Sequence, residues 1–269
     1  EQHRMMSDDV RKRILQHGRR AKREQAETIQ APTAPTALSF PIGLQIKDPM
    51  TRLREEAVRR LLERGVLRTE NLITALLQIA PEDYMQEQSA RELLGQIAAR
   101  TAHTEPILSL QSLAMALEAL EPADGDRIAN LSHHTAYTAA VLAELVGPEG
   151  AVMSTAAVGW GEARRIRKSW TQYPQTTLKR GDPTVGDKDD DSVDRMLIGG
   201  CLPRLPKSLR MQLDAKEGRA VAFLGPRFRA QDLVRIVRRQ EEFEEQLIAR
   251  AQVPILSGKN GWLQESTPA

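Results

Sequence analysis

From residue 127 onward, short apolar segments that suit buried strands alternate with segments of helical spacing. The order is RIANL, TAAVLAELV, AVMST, EARRIRKSW and TTLKR, followed by DRMLIGG, a helix around LRMQL, GRAVAFLG, DLVRIVRR and VPILS. This alternation is typical of parallel strands joined by crossover helices. The sequence therefore predicts an α/β fold with a doubly wound, Rossmann-like sheet.

The segment before this alternation has helical spacing only. It contains MTRLREEAVRRLLERGV, which ends at a glycine suited to a helix C-terminus, then ENLITALLQI, SARELLGQIAA and SLAMALEALE. The last of these stops at Pro122. We interpret residues 50–122 as a helical N-terminal part and residues 123–269 as the α/β core.

The first 49 residues have a different composition from the rest of the chain. Residues 1–28 are predicted to form a basic helical arm, and residues 29–49 a proline-rich connector. Within residues 10–23 there are seven cations and no acidic residue, namely Arg11, Lys12, Arg13, Arg19, Arg20, Lys22 and Arg23. Such an arm is suited to bind RNA phosphates or an acidic protein surface; the alternatives are the remnant of a presequence and a solvated helix without a partner.

Composition excludes several classes of protein. The single cysteine, Cys201, rules out an internal disulfide framework and a cysteine-rich zinc site. No apolar run approaches the roughly 20 residues of a membrane-spanning helix, so we predict no membrane span. A formal net charge of +2 does not indicate a chain built to bind polyanions over its whole surface.

Several phrases together resemble the protein-L-isoaspartate O-methyltransferase family, from about residue 55 to residue 263. They are RLLERGV with ITALLQIAPEDYM, AVLAELVGPEG, VDRMLIGGCLPRLP with QLDAKEGRAVAFLG, and finally DLVRIVRR with VPILSGKNGW. The resemblance implies a methyltransferase fold with a helical N-terminal extension. It also implies a site for S-adenosylmethionine at the carboxyl ends of the strands.

The loop expected to hold that cofactor departs from the family pattern. Where the family has VLEIGTGSGYQ this chain has IANLSHHTAYT, which places Asn130 on the acidic position and Ser132, His134 and Ala136 on the three glycines. Side chains there add bulk where glycine lets the main chain approach the ligand. The carboxylate that grips the ribose hydroxyls in the family falls near Ala156.

The catalytic motif of the family is also changed in this sequence. Its serine falls on Leu108 in a gapless match, or on Ser109 after a shift of one residue. The acidic turn survives as RGDPTVG, in which Asp182 is retained. We therefore predict degenerate cofactor-loop positions, a degenerate catalytic position and one retained family-like acid.

Other candidate sites have weaker support. The neighbouring residues His133 and His134 lack a ligand partner at metal spacing, so we predict no metal site. We reject a catalytic triad of Ser132, His133 and Asp182, because no nucleophile-elbow sequence surrounds the serine. Cys201 is expected to be buried, and residues 187–194 to form a solvated acidic loop.

These departures lead to a prediction about function. We predict a catalytically inactive methyltransferase-like protein that is not an enzyme and binds no cofactor. We expect it to serve as a structural subunit of a large multiprotein or ribonucleoprotein assembly. The chain begins with Glu1 rather than methionine, which favours a processed, mitochondrial protein, with the cytoplasm as the other compartment. The alternatives are a divergent S-adenosylmethionine-dependent protein-L-isoaspartate O-methyltransferase and an RNA-binding ribosomal or ribosome-assembly component.

Overall fold

The computed structural model describes residues 48–95, 108–132, 135–186 and 192–262. The predicted basic arm, most of the connector, and the residues His133 and His134 lie outside this part of the chain. The described N-terminal helices are α1 (Pro49–Glu63), α2 (Glu70–Gln78), α3 (Glu87–Leu93) and α4 (Leu110–Leu120), with a 3-10 turn at Pro81–Asp83.

Strands and helices then alternate as the sequence predicts. They are β1 (Arg127–Ser132), α5 (Thr135–Val146), β2 (Ala151–Ala156), α6 (Trp160–Ser169), β3 (Thr176–Arg180), β4 (Arg195–Leu202), α7 (Lys207–Arg210), β5 (Arg219–Leu224), β6 (Gln231–Arg239) and β7 (Glu242–Ala251). The sheet has seven strands in the order β3-β2-β1-β4-β5-β6-β7. Strands β1 to β5 pair in parallel, and β6 and β7 add an antiparallel hairpin. The predicted doubly wound, Rossmann-like sheet is confirmed.

Local sequence signals explain where α1 begins and ends. The Asp48 carboxylate accepts hydrogen bonds from the backbone N–H groups of Met50 and Thr51, at 3.0 and 3.2 Å, and so caps the helix. Pro49 occupies the first turn, where its missing N–H costs nothing. Gly65 follows the helix with a φ of +67°, which supports the predicted stop.

The core lies on both faces of the sheet. Along β4, Leu197 belongs to the apolar cluster that includes α4 and α5, whereas Met196 and Ile198 belong to a cluster on the other face. Successive strand residues point to opposite faces, so a strand buried on both sides reads as a continuous apolar run. The N-terminal helices share the first cluster with β1, so the helical part and the α/β part have one core.

Two predicted elements differ from the structure. Residues 253–257, predicted as the last strand, form only isolated bridges such as Cys201 to Ile255. The last strand is instead β7, whose sequence EFEEQLIARA is largely exposed at the edge of the sheet and therefore lacks a buried apolar pattern. Helix α7 has only four residues and overlaps the first two residues of the LRMQL segment that predicted it.

No helix in the described ranges combines the length and the apolar character that a membrane crossing demands.

Candidate active site

The strand order places the switch point of the sheet between β1 and β4, and we call the space outside the strand ends there the crevice. Strand β1 pairs with β2 on one side and with β4 on the other, so the chain direction across the sheet reverses between β1 and β4. In open α/β sheets, ligands bind outside the carboxyl ends of the strands at this switch point. Ser132 at the end of β1 pairs with Gly199 of β4, and these two residues therefore mark the floor of the candidate site.

Four polar side chains form a buried network at the end of β1. The Ser132 hydroxyl donates to the Asn130 carboxamide oxygen at 2.5 Å, and the Asn130 amide group donates to the Ser154 hydroxyl at 3.0 Å. The Thr135 hydroxyl, at the start of α5, donates to the Ser132 carbonyl oxygen at 2.8 Å. Asn130 is fully buried and the other three are almost so. These bonds fix the two ends of the loop that should face the ligand.

Gly199 provides the space that Ser132 needs. A Cβ atom on Gly199 would collide with the Cβ of Ser132 and lie 3.2 Å from its Cα. The side chain of Ser132 is 5% exposed and hydrogen-bonds Asn130, so it is turned into the protein rather than toward the solvent. Ala136 is buried in the same way. Two of the three glycine positions thus carry side chains that the interior accommodates.

The end of β2 carries no carboxylate. Ala156 is its last residue, 7% exposed, and it pairs with Arg180 at the end of β3. Thr155 beside it is buried too. The resemblance to the family predicts a carboxylate at this strand end. In the structure the residue there is Ala156, which has no carboxylate.

The two candidates for the catalytic position have different roles. Leu108 is buried, and its Cδ2 lies 3.6 Å from the position of a Cβ on Gly199, so it lines the interior beneath the crevice. Ser109 is exposed and caps α4, because its hydroxyl oxygen accepts a hydrogen bond from the Ser112 N–H at 3.2 Å. The aliphatic residue, not the hydroxyl, therefore lies closest to Ser132 and Gly199.

Asp182 is engaged within the protein. Its Oδ1 accepts hydrogen bonds from the backbone and hydroxyl groups of Thr184, at 2.8 and 2.7 Å, and its Oδ2 accepts one from the backbone of Lys259 at 2.6 Å. Burial opposes its ionisation, but these hydrogen bonds outweigh it and hold the pKa of Asp182 below its ordinary value. The retained acid thus ties the loop after β3 to the C-terminal segment.

The remaining candidates contribute little to this site. Cys201 is buried, and burial raises the pKa of its thiol, so it is a poor nucleophile. Within the described ranges no group of three or more His, Cys, Asp or Glu side chains could hold a metal ion. The seven arm cations and His134 lie outside those ranges, and their assigned roles stay predictions.

Sequence reasoning missed the partners that make the altered loop compatible with the fold. Ser154 and Gly199 come from β2 and β4, far from Ser132 along the chain, and only the strand pairing brings them together. The one available signal was the paired glycine of IGGCLP, where the strand needs a residue without a side chain.

Comparisons with known proteins agree with this architecture. The family model described as Protein-L-isoaspartate(D-aspartate) O-methyltransferase (PCMT) matches residues 52–260. The protein-L-isoaspartate O-methyltransferase of Methanothermobacter thermautotrophicus is 26% identical over 212 residues, 78% of this chain and 97% of that protein. The enzyme of the same name from Methanococcus aeolicus is 27% identical over 214 residues, with the same two coverages of 78% and 97%.

Solved structures show the same fold. A protein-L-isoaspartate O-methyltransferase superposes with a TM-score of 0.64 at 18% identity, over 77% of this chain and 67% of that chain. A protein-L-isoaspartate O-methyltransferase from Plasmodium falciparum, in complex with S-adenosyl-L-homocysteine, superposes with a TM-score of 0.62 at 13% identity, over 76% of this chain and 98% of that chain.

These findings correct three predictions. The predictions of a catalytically inactive structural subunit and of a non-enzyme are wrong, because a family model of an enzyme spans residues 52–260 and enzymes of that name match over nearly their whole length. The prediction of no cofactor is wrong as well, because the family is one of O-methyltransferases and the Plasmodium structure contains the demethylated form of the methyl donor. Those predictions rested on the glycine positions, the missing ribose carboxylate and the changed catalytic position together. At two of the glycine positions, Ser132 and Ala136, the residues are buried in the protein.

Proposed function

Because this chain belongs to the protein-L-isoaspartate(D-aspartate) O-methyltransferase family, we propose that it transfers a methyl group from S-adenosylmethionine to an L-isoaspartyl residue of a protein. The observation that carries the proposal is the match over residues 52–260, which includes both β1 and β4 and therefore both walls of the crevice. The mitochondrial location and the assembly partners inferred from the sequence stay predictions.

The main chain around the crevice is suited to the methyl donor. The parallel carboxyl ends of β1, β2 and β4 meet there, and α5 begins at Thr135 directly after the loop. The first turn of a helix presents N–H groups that lack partners within the helix and can receive a carboxylate of the ligand. Ser132 and Ala136 direct their side chains inward, which keeps space at this place.

The side chains would hold the methyl donor less tightly than the family pattern does. The residues whose main chain is placed to contact it are Ser132 and Thr135 at the loop and Ala156 at the end of β2. Ala156 can contact the ribose hydroxyls only with its main chain. The carboxylate of Asp182 already accepts hydrogen bonds from Thr184 and Lys259. We therefore expect binding that depends on main-chain groups and on shape.

The proposed chemistry needs no acid or base from the chain. When bound, S-adenosylmethionine supplies a methyl group made electrophilic by its sulfonium. The acceptor carboxylate is already ionised near neutral pH, so its attack releases no proton. The chain's contribution is to orient the carboxylate and to exclude water, which buried residues such as Leu108 assist. An aliphatic residue at position 108 is compatible with that task.

The proposal is tested with the full chain, S-adenosylmethionine labelled in its methyl group, and two peptides that differ only in one residue. One peptide contains a single isoaspartyl residue, and its control contains aspartate at the same place. We expect a base-labile methyl ester on the first peptide only, with inhibition by S-adenosylhomocysteine. Absence of label together with absence of calorimetric heat for S-adenosylhomocysteine would overturn the proposal.

Restoring a carboxylate at the end of β2 is expected to tighten cofactor binding. Ala156→Glu adds an acceptor for the ribose hydroxyls, and hydrogen bonds to a charged group contribute about 1.5–3 kcal/mol, or roughly tenfold or more in affinity. Ala156→Gln is the matched control, since it has nearly the same shape without the charge. The measurement is the Kd of S-adenosylhomocysteine by calorimetry; equal affinities for the two variants would contradict the prediction.

A further inference from the structure

Helix α6 presents a basic face to the solvent. Its inner side is formed by Ala163 and Ile166, which are buried, whereas its four cations are all exposed: Arg164, Arg165, Arg167 and Lys168. Between residues 157 and 180 there are six lysine and arginine residues and a single acidic residue, Glu162. This end of the sheet therefore carries a local positive charge that the net charge of the whole chain conceals.

A tryptophan stands at the start of this helix. Trp160 is 78% exposed, although its side chain is the largest of all and is usually well buried. The guanidinium of Arg180 lies 3.9 Å from the centre of its ring, and the Nε of Arg180 donates to the Val158 carbonyl oxygen at 2.8 Å. The hydrogen bond holds the arginine against one face of the indole, and the exposed fraction leaves the other face open.

Contacts within the protein account for only some of the cations of α6. Arg165 pairs with Glu162 at 3.4 Å, and both side chains are largely exposed, so the pair contributes little to stability. Arg167 donates to the Leu178 carbonyl oxygen at 2.9 Å. Arg164 and Lys168 form no ion pair with any residue in the described ranges. An open indole face beside unpaired cations is therefore left for a ligand.

We propose that the outer face of α6 and the Trp160–Arg180 stack form a binding site for single-stranded RNA. Cations along a helix can follow a phosphate backbone, and an open aromatic face can stack on any base. Only an unpaired base can reach such a face, and unpaired bases that can be splayed out are what proteins typically recognise in RNA. An acidic protein would match the charge equally well but gives no role to the exposed indole.

The proposed site borders the methyl-donor site, because Arg180 pairs with Ala156 at the end of β2 and Trp160 follows that strand end by four residues. Trp160 and Arg180 belong to the β2–β3 end of the sheet, with β3 as the edge strand, whereas the crevice lies between β1 and β4. RNA binding is measured by anisotropy and methyl transfer by the labelled ester, so the failure of one proposal is distinguishable from the failure of the other. The proposed site also differs from the basic arm, whose cations stay intact in the experiment.

The test measures fluorescence anisotropy of a labelled 12-nucleotide oligouridylate with the full chain at several salt concentrations. Trp160→Ala is expected to raise the Kd about tenfold, while Trp160→Phe, which keeps an aromatic face, stays within about threefold. Phe228→Ala is the matched control, because Phe228 is 76% exposed and lies 5.1 Å from the guanidinium of Arg227, away from this site. It should leave the Kd unchanged.

The double variant Arg164→Glu/Lys168→Glu should weaken binding and flatten its salt dependence by about 0.7 in slope for each phosphate that the protein no longer neutralises. Equal Kd values for the wild type and Trp160→Ala would overturn the proposal. So would tighter binding of the matching oligodeoxyuridylate, or Trp160-dependent binding of an oligoglutamate peptide without RNA binding. Loss of S-adenosylhomocysteine affinity in Trp160→Ala with unchanged RNA affinity would assign the indole to the crevice instead.

Discussion

Arg54→Met is expected to lower the free energy of unfolding by about 3 kcal/mol, the largest effect that we expect from a single substitution. Arg54 has a side chain only 9% exposed and pairs with Glu82 at 3.3 Å, while its Nε donates to the Leu77 carbonyl oxygen at 3.0 Å. Methionine fills a similar volume but leaves Glu82 as a partly buried charge without its partner. The measurement is urea unfolding followed by circular dichroism.

The chain offers a matched control in the same helix. Arg59 pairs with Glu63 at 3.3 Å, but the two side chains are 57% and 61% exposed, so Arg59→Met should cost less than about 1 kcal/mol. In the double variant Arg54→Met/Glu82→Leu neither charge remains, and we expect it to be more stable than Arg54→Met alone. A loss for Arg54→Met no greater than that for Arg59→Met would contradict the prediction.

The Arg54–Glu82 pair also bears on the position of helix α5. Glu82 belongs to the 3-10 turn, and the neighbouring Tyr84 lies 6.3 Å, centre to centre, from the ring of Tyr137 in α5. Burial raises the pKa of Tyr137, so its hydroxyl is neutral at any physiological pH. Loosening this cluster should therefore disturb α5, which begins at Thr135 shortly after the end of β1.

The second large effect concerns the glycine beneath the cofactor loop. Gly199→Ala is expected to lower the free energy of unfolding by about 2 kcal/mol, because the added methyl group would collide with the Cβ of Ser132. Adding Ser132→Gly removes that Cβ and the collision, so the double variant should lose only the contribution of the Ser132–Asn130 hydrogen bond, about 1 kcal/mol. A double-mutant cycle by urea unfolding measures the coupling between the two sites.

The expected coupling between positions 132 and 199 exceeds about 1 kcal/mol, as is usual for residues in direct contact. Ala222→Gly in β5, a buried small residue, serves as a control that should show no coupling to Ser132→Gly. Additive effects of Gly199→Ala and Ser132→Gly would mean that the two residues do not share the space described above. Ser132 would then be accommodated by something other than the missing side chain of Gly199.

The most instructive error was to treat departures from the family loop as loss of function. Ser132 and Ala136 occupy positions where the resemblance expects glycine, and sequence alone does not reveal the direction in which their side chains point. In the structure Ser132 bonds Asn130, which in turn bonds Ser154 on the neighbouring strand. The network forms only once β1 and β2 are paired.

The sequence by itself determined the Rossmann-like fold, the helical extension and the likeness to the methyltransferase family. Hydrophobic periodicity is a local property, because each strand or helix shows its buried face within a few residues. For the same reason β7, exposed at the sheet edge, escaped prediction.

Only the tertiary structure decided what the individual site residues do. It placed Gly199 against Ser132, tied Asp182 to Lys259, and left Trp160 exposed beside Arg180. Each of these contacts joins residues that are distant along the chain or that belong to different elements. The space and the hydrogen-bond partners around a side chain depend on strand pairing and packing, which no short stretch of sequence contains.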